Sequence, residues 1–78
     1  MRWNEPYLSQ TVIRIVSTKN VINLQERYHP GSGDISVFVN GLLAAKDIDY
    51  IEASPWSLQF NFDLELDDTV VVQYQKLW

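Results

Sequence analysis

His29, Ser32 and Asp34 are the residues of this 78-residue chain whose types could assemble a nucleophilic triad, and all three fall on one short stretch. A triad needs a base beside the hydroxyl, a carboxylate orienting that base and donors facing the oxyanion. Three residues on one Pro-Gly loop define none of that geometry. His29 is the only side chain with an ordinary pKa near neutrality, and no cysteine accompanies it. These residues read as an exposed loop of a chain that is not an enzyme.

The carboxylates come next. Asp63, Glu65, Asp67 and Asp68 offer hard oxygen ligands, but they lack the spacing and central glycine of a helix-flanked calcium loop, so a solvated acidic turn is expected. Asp47, Asp49 and Glu52 flank Tyr50, with Asp47 and Asp49 expected on one wet face of a strand. Pro30-Gly31-Ser32-Gly33 has the glycines of a phosphate cradle without the Lys-Ser/Thr pair and helix that complete one. A turn using the backbone freedom of Gly31 and Gly33 accounts for it. No metal or cofactor is implied. Trp3, Tyr28, Tyr50, Trp56 and Trp78 are aromatics for a subunit interface or for stacking on sugar rings.

Strands must position these groups. Residues 1–9 read as an irregular lead-in and 10–78 as one β domain. Thr11 to Ser17 is β-branched, Val21 to Gln25 is a short strand, and the Arg27 to Asp34 stretch is a loop. Ile35 to Val39 is a strand by propensity, and Asn40-Gly41 supplies the two positive-φ positions of a type I′ hairpin turn. Leu42 to Ala45 either returns as a strand or begins a helical turn. Ile48 to Glu52 is a further strand, broken by Pro55. Ser57 to Phe62 alternates, placing Leu58, Phe60 and Phe62 inward. Leu64 and Leu66 are expected to plug the core, and Thr69 to Gln75 to turn Val70, Val72 and Tyr74 inward. The fold class is all-β, a small antiparallel sandwich or barrel-like roll.

A chain of this length buries about 60 to 65 per cent of its unfolded surface, which suits one core. With no cysteine to staple it, stability must come from the 46% hydrophobic composition or from neighbouring chains. The net charge of -4 is uneven: residues 1–45 carry +1 and residues 46–78 carry -5. That acidity disfavours nucleic acid. The opening residues lack a signal-peptide core, and no segment approaches the roughly 20 apolar residues of a membrane-spanning helix, so synthesis in the cytosol without membrane association is expected.

From Tyr28 onward, the loop Pro30-Gly31-Ser32-Gly33, the run ISVFVNG, Asp49-Tyr50, Leu58-Gln59-Phe60 and the segment from Leu66 to Tyr74 form a pattern. It resembles short β modules of tailed-phage tail-fibre and baseplate proteins, which carry a VFVNG hairpin, a DY strand and a closing GD.V.V.Y strand. Here Asp67-Asp68 stands for the usual Gly-Asp, and Ala45-Lys46-Asp47 occupies a turn that often holds glycine. The resemblance implies a structural subunit of a virion tail, assembled in the host cytoplasm, that contacts other tail or baseplate proteins and forms a homo-oligomer. A module binding host-surface glycans and a cellular immunoglobulin-like interaction domain are the alternatives.

Overall fold

A computed structural model describes residues 7–76. Seven strands succeed one another there: β1 (Tyr7–Arg14), β2 (Lys19–Asn23), β3 (Ile35–Val39), β4 (Leu42–Ala44), β5 (Tyr50–Ser54), β6 (Ser57–Leu64) and β7 (Thr69–Lys76). They form two antiparallel sheets, ordered β1-β7-β3-β4 and β2-β6-β5, as a small sandwich-like all-β module. The expected fold class holds.

Period-two alternation builds the interior. In β7, Val70, Val72 and Tyr74 are buried, whereas Gln73 and Gln75 face out. In β6, Leu58, Phe60 and Leu64 occupy the inward positions. Ile22, Ile35, Val37 and Tyr50 complete the layer from the remaining strands. Phe60 meets Tyr50 at 5.8 Å between ring centres, and Phe62 edge-on at 5.5 Å. The Asn40-Gly41 hairpin forms with both residues at positive φ, 51° and 83°, and Val39 pairs with Leu42. This settles Leu42 to Ala44 as a returning strand.

Several expectations change. Tyr7 to Ser9 belong to β1 rather than to an irregular lead-in, because they pair with Tyr74 to Lys76 of β7. The strand expected over Ile48 to Glu52 starts instead at Tyr50, so Asp47 and Asp49 lie in a turn and share no strand face. Phe62 has inward parity yet is 40% exposed, and Leu66 is 63% exposed. The first lies past the start of β5, which begins at Tyr50 opposite Phe60, and the second stands in the turn beyond β6. Trp3 and Trp78 lie outside the described residues.

Phe60→Ala should lower unfolding free energy by about 3 to 5 kcal/mol, because the ring is buried and its neighbours cannot fully collapse; an unchanged urea midpoint would remove Phe60 from the core. For Gly41→Val, no atom lies within 4 Å of an added Cβ. Its cost is therefore backbone strain alone, at least about 1 to 2 kcal/mol, and a variant as stable as the parent would exclude the left-handed turn.

Candidate functional site

The triad residues do not form a relay. Ser32 Oγ donates to the backbone oxygen of His29 at 2.6 Å, and the backbone N–H of His29 donates to Asp34 Oδ2 at 3.1 Å. The loop thus uses its hydroxyl and carboxylate to fold itself. Asp34 Oδ1 is buried without a hydrogen-bond partner among the described residues. The glycine stretch is equally committed: Gly31 and Gly33 take φ of 82° and 78°, and the Gly31 N–H donates to Glu52 Oε1 at 2.5 Å. An anion does sit at this loop's amide, but it is the protein's own. Glu52 has a side chain only 4% exposed, and its charge faces Lys46 Nζ at 3.8 Å.

Two of the aromatics expected at a surface are core residues. Tyr28 is fully buried and donates its hydroxyl to the Ser57 backbone oxygen at 3.0 Å. Tyr50, 4% exposed, packs on Phe60. Neither offers a ring face to a sugar or a subunit. Tyr28 is tied to the β5–β6 turn, its N–H donating to the Pro55 backbone oxygen at 3.0 Å, and Tyr50 opens β5 opposite Phe60. Trp56 is 51% exposed at the β5–β6 turn, where its backbone oxygen accepts from Leu24 N–H at 2.7 Å. The next exposed aromatic ring on β6, Phe62, is six residues away, roughly 20 Å at the rise of a strand. The structure does not bring the expected aromatics into one platform.

Acidic residues mostly close turns. Asp68 Oδ2 accepts from Glu65 N–H at 2.8 Å, and its Oδ1 accepts from Asn40 Nδ2 at 2.9 Å. Those two donors hold its carboxyl below the ordinary 3.8, with the Asn40 bond the larger cause. Asn40 Oδ1 in turn accepts from Thr69 N–H at 2.9 Å, and Asn40 N–H donates to the Thr69 backbone oxygen at 2.8 Å. The hairpin tip is therefore pinned to the start of β7. Asp49 Oδ2 accepts from Ala45 N–H at 2.8 Å, and Asn61 Nδ2 donates to the Ile48 backbone oxygen. Asp67 pairs with Arg14 at 2.9 Å in solvent, where such pairs add little.

The surface feature left over is apolar. Beyond Phe60, β6 continues past the last paired residue of β5, since the β5 register begins at Tyr50 opposite Phe60. On its other side, the pairing with β2 shifts register between Lys19 and Val21. Phe62 therefore points inward where neither neighbouring strand is regular. Facing it from the other sheet are Val39, Leu42 and Ala44, which share the inward parity of Val37. Together with Asn40 and Asp49 they line a groove of about 330 Å³, the open end of the sandwich. Leu42 and Leu43 are 76% and 67% exposed. Sequence reasoning missed this site: Phe62 carries the inward signal, but where its cover stops depends on register between strands.

No protein-family model and no curated protein matches the chain.

The buried tyrosines give a pH test. Burial is the largest cause raising the hydroxyl pKa of Tyr28, Tyr50 and Tyr74, with Tyr50 pushed up to about 12 from 10.0. For a group raised in the folded state, stabilisation is complete below the unfolded value of 10.0 and is lost as pH rises through the folded one. The tyrosinate absorbance contributed by these three of the four tyrosines should thus rise late, above pH 10, and together with loss of structure. Ionisation of all the tyrosines at 10 in a folded chain would show that the rings are wet.

Proposed function

We propose that this protein is a non-catalytic structural subunit of a tailed-phage virion tail, acting through contacts with other tail or baseplate proteins. The observation that carries the reading is the open end of the sandwich. Inward-facing apolar side chains of both sheets, Leu42 and Phe62 above all, stand exposed in a chain whose turn carboxylates are largely engaged in its own loops. Apolar surface of this kind marks sites of association.

Backbone conformation supports the phage-module resemblance. Asp67, which stands for the glycine of that pattern, has φ of 73°, and Asp47, in the turn that often contains a glycine, has φ of 65°. Aspartate tolerates the left-handed region better than most residues, so these turns keep a conformation that glycine would supply.

The reading is tested on particles and in solution. Purified particles from the producing strain should contain the chain at a fixed ratio to tail proteins. Light scattering across a wide concentration range should show a stable oligomer, or a complex once tail proteins are added. A chain that stays with the cell fraction, monomeric and without affinity for tail proteins, would overturn it.

A further inference from the structure

We infer that the open end of the sandwich takes an extended, apolar, basic-flanked segment of another protein, which adds to β4 as a strand and seats one large apolar side chain against Phe62. This rests on the reading of the chain as an association module and names the partner's chemistry.

The backbone supplies the first half of the argument. In a two-residue hairpin the residues flanking the turn, Val39 and Leu42, form the hydrogen-bonded pair, and the next pair, Phe38 and Leu43, does not exchange ladder bonds. Phe38 instead directs its polar groups toward β7, where it lies opposite Val71. Leu43 directs its N–H and C=O to the free side of β4, the edge strand of its sheet. Two residues later, at the next position facing that side, the edge closes, because Asp49 Oδ2 takes the Ala45 N–H. The free edge is thus a single register position beside the groove. It can align a visiting strand, while affinity must come from the apolar side chain that enters the groove.

The second half is charge. Asp49 lines the groove, the exposed Asp63 follows Phe62, and Asp68 holds the amide of Asn40 at the rim. No basic residue lines it among the described residues. The nearby cation, Lys46, is drawn toward Asp47 and Glu52, at 4.0 and 3.8 Å. Two copies joined edge to edge about a two-fold axis would set identical acidic rims against each other. A segment with lysine or arginine on each side of its apolar residues meets the rim with opposite charge.

The test uses the full chain labelled with nitrogen-15 and two synthetic peptides sharing a Val-Phe-Val centre, one flanked by lysines and one by glutamates. The lysine peptide should shift the amides of Leu43 and Asp49 saturably, with a Kd below about 1 mM, and bind several-fold more weakly at high salt. The glutamate peptide should not bind. Phe62→Ser should weaken binding by tenfold or more with the spectrum of the fold retained, while Trp56→Ser, at the other end of β6, leaves it unchanged. The inference is overturned by absent shifts at Leu43, by equal binding of both peptides, by loss of binding in Trp56→Ser, or by a two-fold dimer that protects the Leu43 amide. If the chain is present in particles and the lysine peptide fails, the inference falls and the structural role stands; absence from particles strikes the role itself.

Discussion

Two sheets that share no ladder among the described residues have to be held together by the layer of side chains between them, and that layer constrains everything else. Strands of three to eight residues can supply it only by alternation, with apolar residues at every second position. Tyr74 adds a polar pin, donating its hydroxyl across to the backbone oxygen of Glu26 at 2.8 Å while Thr11 Oγ1 donates to it at 3.4 Å. A buried tyrosine stays compatible with the core because its hydroxyl is bonded. The same economy explains the open end: where β4 and β5 are too short, inward residues have no opposite number.

Acidity has a structural use here. Asp34, Asp49, Glu52 and Asp68 each accept a backbone N–H from a turn or loop, which satisfies donors that no strand reaches. A small domain without disulfides keeps its connections ordered in this way, and its negative charge follows partly from that demand. The paired Asn40 and Asp68 show the principle at its densest, since one amide and one carboxylate tie the hairpin, the β6–β7 turn and the start of β7 together.

Local signals in the chain were enough for the elements whose identity is local. Ile35 to Val39, the Asn40-Gly41 turn and the inward set of β7 all follow from propensity and parity, and all are present. What escaped depends on contacts between distant residues. Tyr28 stands next to a Pro-Gly loop, and nothing near it in sequence says that Ser57 will accept its hydroxyl. Phe62 has the parity of Phe60, and only the register of β5 separates a buried ring from an exposed one. The groove was illegible because it is defined by where strands stop, whereas periodicity speaks of which way they face.

The pinned Asn40 also bears on how the molecule ages. In a loose chain, an Asn-Gly step sheds ammonia readily, because the unhindered glycine nitrogen attacks the preceding carboxamide carbon; asparagine ranks among the thermolabile residues for such reasons. Here both ends of that carboxamide are engaged, its nitrogen by Asp68 and its oxygen by Thr69 N–H. Attack by Gly41 requires the side chain to turn, and so requires both bonds to open first. The chemical lifetime of the hairpin is thereby tied to the opening rate of the fold.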